Sequence, residues 1–194
     1  HRPVWPSSCR DGHKTIDIMP FGNSYNNRSG YPRRVMTEED ALRRLAALCA
    51  KGEHCTGELD DKMRRWGLDE AARCRVLDYL ISRQFVDDSR FCRSFVTDKI
   101  RFEHWGRRKI EQALWQKHVA KEISAPILDA IPDEEYMEQL RPLLTSKWPS
   151  VKGGSDYERS MKLIKWAMSR GFSLEQIRKA IDEMGVEADE LPDE

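Results

Sequence analysis

The chain carries one short pattern three times, and this pattern decides the fold. At residues 59–80 the segment LDDKMRRWGL is followed, after seven residues, by VLDYL. The same order of apolar and turn-forming residues returns 51 residues later, at 110–131, as IEQALWQKHV and ILDAI. It returns after a further 53 residues, at 163–184, as LIKWAMSRGF and AIDEM. A fixed period of this length is typical of a tandem repeat array.

The spacing of apolar residues inside each copy is helical. Leu59 and Met63 are four residues apart, as on one face of a helix, and Gly67 then ends that helix before the next one begins. One such unit cannot bury its apolar face alone, so neighbouring units must stack. Charged residues make up 34% of the chain, which fits a thin molecule with much surface. The sequence therefore predicts an all-α fold, an elongated array of three tandem three-helix repeats with nine helices.

Composition and periodicity divide the chain into five segments. Residues 1–35 are rich in proline, glycine and asparagine without helical spacing, and are interpreted as a disordered or non-native leader. Three-helix repeats are expected at 36–86, 87–132 and 133–186. Residues 187–194 form an acidic tail.

Polar residues mark several helix ends. Thr37, Asp69 and Ser173 each stand where a side chain can cap the first turn of a helix. His118 takes the place of the turn glycine in the second copy, and histidine tolerates a positive φ better than most residues. Pro126 is expected in the first turn of its helix, where proline costs little.

Positive charge is concentrated in the middle of a chain whose formal net charge is zero. Residues 90–109 hold seven basic residues and two acidic ones. A solvated helix face would explain such a run as well as a binding surface does. The basic residues are candidates for contact with DNA phosphates or with acidic patches on a partner protein: Arg90, Arg93, Lys99, Arg101, Arg107, Arg108 and Lys109.

No motif of a catalytic or cofactor site is present in the sequence. It lacks the phosphate-binding loop, the dinucleotide fingerprint, the zinc-protease motif and the nucleophile elbow. The five cysteines include no C-x-x-C pair, and their spacing fits no standard zinc site. We expect no catalytic residue, no metal and no cofactor, which favours a binding protein over an enzyme. No apolar run of about 18 residues suggests a membrane span.

The junction between the first two repeats carries a distinctive motif. Residues 85–96 read FVDDSRFCRSFV, residues 105–110 read WGRRKI, and residues 170–173 read RGFS. In this order and spacing, the three motifs resemble the RecX family of bacterial modulators of the RecA recombinase. The resemblance covers residues 37–186. Two departures are Cys92 in place of the usual alanine and His118 in place of the usual glycine.

The resemblance implies a regulatory protein that binds the RecA filament on DNA. RecX-like proteins inhibit strand exchange, DNA-dependent ATP hydrolysis and the coprotease activity behind the SOS response, and so modulate homologous recombination and DNA repair. They are cytoplasmic and are not enzymes, and some bind single- or double-stranded DNA directly. We expect a monomer with no membrane contact.

The motif residues are best interpreted as structural. Asp87 or Asp88 is expected to cap a helix that carries Phe91, Phe95 and Phe102 on one face, with Phe91 and Phe95 in the core. The motif residues assigned to the fold are Asp87, Asp88, Phe91, Phe95, Trp105, Gly106, Ile110, Gly171 and Phe172.

Two other kinds of helical binding protein are alternatives. A helix-turn-helix DNA-binding regulator is the main alternative, because three-helix units and basic residues suit it. Its recognition helix would be residues 106–117, with Arg107, Arg108 and Gln112 at base-reading positions. A tetratricopeptide scaffold is disfavoured, because its period is 34 residues.

Overall fold

The computed structural model describes residues 36–185, and this part of the chain is all-α. It contains nine α-helices and one short 3₁₀ turn at Trp148–Ser150, and the described residues include no strand. The predicted fold class of three-helix repeats with nine helices is confirmed. The helices are α1 (Glu38–Cys49), α2 (Thr56–Arg65), α3 (Glu70–Ser82), α4 (Asp88–Arg101), α5 (Arg107–Gln116), α6 (Lys121–Asp129), α7 (Asp133–Lys147), α8 (Asp156–Ser169) and α9 (Leu174–Glu183).

The helices belong to two compact units. The first unit ends at Asp87 and contains α1 to α3, and the second begins at Asp88 and contains α4 to α9. The boundaries of the three repeats within this arrangement stay predictions. The leader 1–35 and the acidic tail 187–194 lie outside the described residues.

The first unit is a three-helix bundle in which α1 and α2 both pack against α3. Its core follows from the helical spacing of the apolar residues, since each helix turns one apolar stripe inward. Burial of each large apolar side chain contributes about 1.5–3 kcal/mol. The buried residues of this core are Ala41, Leu45, Leu59, Met63, Leu68, Ala72, Val76, Leu77, Leu80 and Val86.

A buried ion pair accompanies this core. Asp60 on α2 is 4% exposed, and its carboxylate accepts hydrogen bonds from Arg73 Nε at 2.7 Å and from Arg64 Nη2 at 2.9 Å. Arg73 also donates to the carbonyl oxygen of Leu68 at 3.2 Å, in the turn between α2 and α3. The Asp60–Arg73 pair therefore fixes the orientation of α3 relative to α2. A carboxylate buried this deeply needs such partners, because an unpaired charge there would cost several kcal/mol.

In the second unit, α4 packs against α5, α6 and α7, while α7 and α8 pack against α9 and against each other. Its fully buried side chains come from all six of its helices and from the turn before α9. The largest are Ile100, Ile110, Leu114, Leu128, Tyr136, Leu140 and Phe172.

The predicted caps are confirmed. Thr37 Oγ1 accepts from the Asp40 amide at 3.1 Å, and Asp69 Oδ1 accepts from the Ala72 amide at 2.8 Å. Ser173 forms a full capping box with Gln176, in which each side chain bonds the other residue's backbone amide. These bonds satisfy amide groups that the first turn of a helix leaves without partners.

The predicted turns after the repeated helices are also confirmed. Gly67, His118 and Gly171 occupy equivalent places in the three copies, with φ of 83°, 59° and 92°. Each amide donates to the carbonyl three residues before it, at 2.9–3.0 Å. His118 therefore adopts, in this turn, the left-handed conformation that glycine adopts without strain.

The start of α5 lies directly on the turn that follows α8. The amide of Gly106 donates to the carbonyl oxygen of Arg170 at 2.9 Å, and the amide of Arg108 donates to that of Gly171 at 3.1 Å. A Cβ on Gly106 would lie 2.3 Å from the carbonyl carbon of Gly171, and one on Gly171 would lie 2.4 Å from the Lys109 amide nitrogen. Two glycines are therefore required for this backbone-to-backbone contact.

Three expectations about individual residues are wrong. Phe102 does not share the buried face with Phe91, because α4 ends at Arg101 and Phe102 is 76% exposed beyond it. Phe95 is partly exposed rather than buried, and stacks on the Phe91 ring with centroids 5.5 Å apart. Pro126 is the sixth residue of α6 and so lies in its second turn, where the helix loses the hydrogen bond to the carbonyl of Glu122.

None of the helices in the described range is both long enough and apolar enough to pass through a membrane.

We predict that Gly106→Ala destabilises the second unit by about 1–3 kcal/mol, because the added methyl group collides with backbone that cannot rotate away. Urea unfolding followed by circular dichroism measures the change. Gly52→Ala is the matched control: its Cβ meets nothing within 4 Å, so the change should stay within about 0.5 kcal/mol. Equal unfolding midpoints for the two variants would contradict the glycine contact.

We predict that Asp60→Ala lowers the free energy of unfolding by about 3 kcal/mol, because Arg73, whose side chain is 11% exposed, loses its buried partner. The neighbouring Asp61 pairs with Arg64 at 3.7 Å and its side chain is 37% exposed. Asp61→Ala should therefore cost less than about 1 kcal/mol in the same urea titration. An equally large loss of unfolding free energy for Asp61→Ala would show that burial of the Asp60–Arg73 pair is not the source of the effect.

Candidate partner-binding surface

The seven predicted basic residues lie on α4 and in the first turn of α5, all within the second unit. Their side chains are not equally available. Those classed as exposed are Arg93, Arg101 and Arg108, and those partly buried are Arg90, Lys99, Arg107 and Lys109.

Arg107 joins two helices of the second unit. Its Nε donates to Glu111 Oε1 at 2.9 Å, its Nη2 pairs with Asp129 Oδ1, and its Nη1 donates to the carbonyl oxygen of Leu128 at 3.4 Å. The hydrogen bond to Asp129, followed by that to Glu111, raises the pKa of Arg107. The positive charge is therefore balanced within the chain, and the side chain ties α5 to α6.

Three of the other arginines are less engaged. Arg101 Nε lies 4.0 Å from Glu135 Oε1, at the outer limit of an ion pair. Arg93 and Arg108 are exposed on α4 and α5. Exposed pairs and single charges of this kind contribute little to stability, so these side chains can take up a partner's anionic groups at small cost to the fold.

The lysines form a different arrangement, in which each ammonium group lies over aromatic rings. Lys109 Nζ lies 4.4 Å and Lys99 Nζ 4.8 Å from the centre of the Trp105 ring. Lys99 Nζ is also 5.5 Å from the Phe95 ring. Lys117 Nζ completes the series, 5.5 Å from Phe95 and 5.8 Å from Phe91. We call this set the cation–aromatic strip: Phe91, Phe95, Lys99, Trp105, Lys109 and Lys117.

The aromatic rings of the strip hold its lysines in place, and one of these lysines also has an acidic neighbour. Each lysine gains about 0.5–1 kcal/mol from the ring it covers, which holds its ammonium group in place. Lys99 also lies 3.6 Å from the carboxylate of Glu103, and its side chain is 24% exposed. The strip therefore presents a row of positive charges held over aromatic rings, an arrangement suited to nucleic-acid phosphates and to acidic protein surfaces.

Sequence reasoning missed part of this strip. Phe91, Phe95 and Lys99 follow one another at intervals of four residues, so their common helix face was readable from the sequence. Lys117 was not predicted as a site residue. It comes from the far end of α5, and only the packing of α5 on α4 brings it to the same rings. No local spacing could signal that.

Most of the family-motif residues lie in or beside the core, as a structural role would require. Phe91, Ile110 and Phe172 are buried, and Trp105 is partly buried beneath its two lysines. Asp88 is the first residue of α4, so Asp87 stands at the capping position before it.

Cys92, the cysteine of the family motif, has none of the features of a reactive thiol. Cys92 is buried and forms no disulfide. Burial raises the pKa of the Cys92 thiol to about 11, whereas a nucleophilic cysteine needs a lowered pKa. Within residues 36–185, no group of three or more histidine, cysteine or acidic side chains is placed to hold a metal ion.

Two family models match the second unit. The model for the second three-helix domain of RecX matches residues 87–125, and that for the third three-helix domain matches residues 133–181. The matches cover the cation–aromatic strip and the turn at Gly171.

A crystal structure of RecX from Lactobacillus salivarius shares the fold. The TM-score is 0.68 at 18% sequence identity, and the superposition covers 76% of this chain and 96% of that one. Among curated proteins, the regulatory protein RecX of Clostridium botulinum Eklund 17B is 30% identical over 128 residues. That match covers 65% of this chain, which spans only 59% of the length of the Clostridium relative.

A fuller match comes from the regulatory protein RecX of Acinetobacter baylyi. It is 31% identical over 145 residues, covering 72% of this chain and 86% of that protein. Motifs, fold and relatives agree, and the chain belongs to the RecX family of regulatory proteins.

Proposed function

We propose that this protein binds the RecA nucleoprotein filament and inhibits its strand exchange, its DNA-dependent ATP hydrolysis and its coprotease activity. It would thereby modulate recombination and the SOS response. The proposal extends the regulatory role that the names of its relatives carry. The observation that supports it most is the cation–aromatic strip, which falls within the segment matched to the second RecX domain.

The chemistry of the strip suits a filament made of protein and DNA. Lys99, Lys109 and Lys117 lie along one series of rings, so a phosphate backbone or a row of carboxylates meets several cations at once. The rings hold the lysines in position beforehand, which reduces the entropy lost on binding.

Inhibition follows from preferential binding. A regulator that binds one state of a filament more tightly than the others shifts the population towards that state. A tenfold preference is worth about 1.4 kcal/mol per bound site. The regulator itself needs no catalytic group, and we propose that it acts as a non-enzymatic, cytoplasmic monomer.

The helix-turn-helix alternative makes a different prediction for α5. A recognition helix would read base edges through Arg108 and Gln112, both of which are exposed. Arg107, the third base-reading candidate, is held by Asp129 and Glu111 instead. Comparing the binding of this protein to a RecA filament with its binding to a free duplex distinguishes the two functions.

We predict that Lys99→Gln with Lys109→Gln weakens binding to RecA filaments on single-stranded DNA and flattens its salt dependence. If both lysines meet phosphates, the slope of log K against log salt should fall in magnitude by about 1.4, at about 0.7 per contact. Co-sedimentation with filaments across a salt series measures both quantities.

The matched control removes two lysines from α8, as Lys162→Gln with Lys165→Gln. Lys162 pairs with Glu158 at 2.8 Å and Lys165 is exposed, so the control changes net charge equally outside the strip. Identical affinity and slope for the two double variants would remove the strip from the proposal. Tighter binding of the wild type to one specific duplex than to the filament would favour the helix-turn-helix function.

A further inference from the structure

We propose that Trp115 is the anchor of a second binding face on α5, one that meets protein rather than nucleic acid. The face consists of the exposed residues Arg108, Glu111, Gln112, Trp115 and Gln116. Its partner is a protein surface with an apolar pocket for the indole ring. The identity of that partner as a RecA protomer rests on the proposed function.

Trp115 differs from the other four tryptophans in the described part of the chain. Each of those four is partly buried with a basic side chain over its ring, as in Trp148, whose ring centre is 4.0 Å from the Arg159 guanidinium carbon, and Trp166, covered by Arg170 at 5.1 Å. The other two are Trp66 and Trp105. Trp115 is 75% exposed, and within residues 36–185 no cation covers its ring.

The exposed ring stands on a well-fixed helix. The opposite side of α5 buries Ile110 and Leu114, and Arg107 ties the helix to α6. The first turn is fixed by the backbone contact at Gly106. Trp115 therefore has little freedom to fold back into the core, and the ring stays available to a partner.

The spacing of the face suits a helix that docks into a groove. Arg108, Gln112 and Trp115 stand at positions i, i+4 and i+7, which share one side of a helix. Tryptophan and arginine are the residues most enriched at the centres of protein interfaces. Glutamine can donate and accept hydrogen bonds at the rim.

The charge of the face separates it from the cation–aromatic strip. Arg108 and Glu111 give it one charge of each sign, so it lacks the excess of cations that phosphate binding requires. Glu111 also accepts the hydrogen bond from Arg107, which keeps its carboxylate in place. A neutral, mixed rim around one large aromatic ring is typical of protein–protein interfaces.

The test compares Trp115→Ala with the wild type in three assays: binding to RecA filaments across a salt series, binding to the same single strand without RecA, and sedimentation velocity. Because Trp115 is exposed, the variant should keep its thermal unfolding midpoint. We expect about 30-fold weaker filament binding, an unchanged salt slope and unchanged binding to the bare strand. Trp115→Phe, which keeps an apolar ring without the indole N–H, should lose less.

Tyr157→Ala on α8 is the matched control, because it removes another exposed aromatic residue of the second unit. Filament binding by Trp115→Ala equal to that of this control would overturn the inference while leaving the proposed function intact. Equal weakening on the bare strand would show that Trp115 stacks on bases, and loss of a wild-type dimer would show a self-association face; either result overturns it. A wild type that does not bind filaments would refute the proposed function together with the inference.

Discussion

The contact between Gly106 and Gly171 is the constraint on which the second unit depends. At this point the first turn of α5 meets the end of α8 with no side chain between them. Gly106 offers no side-chain cap, so the carbonyl groups of Arg170 and Gly171 accept the amide hydrogen bonds that a cap would otherwise take. The positive end of one helix dipole also meets the negative end of another, which adds to the attraction.

This contact has a consequence for binding. Lys109, whose ammonium group covers the Trp105 ring, has its amide and Cβ directly against Gly171. Arg170 also donates to the carbonyl oxygen of Glu103 at 3.2 Å, in the same loop as Trp105. The segment matched to the third RecX domain therefore holds the loop and helix that carry half of the cation–aromatic strip. The contact therefore also fixes α5, the helix that carries Lys109 of the strip and Trp115 of the second proposed face.

Much of the fold was predictable because it depends on local patterns. Apolar spacing gave the helices, and the caps at Thr37, Asp69 and Ser173 follow from short-range hydrogen bonding. The site was less predictable, because charge in the sequence does not reveal its partner. Arg107 was grouped with the other bases, yet its guanidinium bonds Asp129, 22 residues away.

The most direct test of the central claim is the rate of ATP hydrolysis by RecA on single-stranded DNA, measured while this protein is added in amounts below that of RecA. Inhibition at such ratios is the predicted result, because each bound regulator would hold a filament state that several RecA protomers share. An unchanged rate across a tenfold titration would contradict the account.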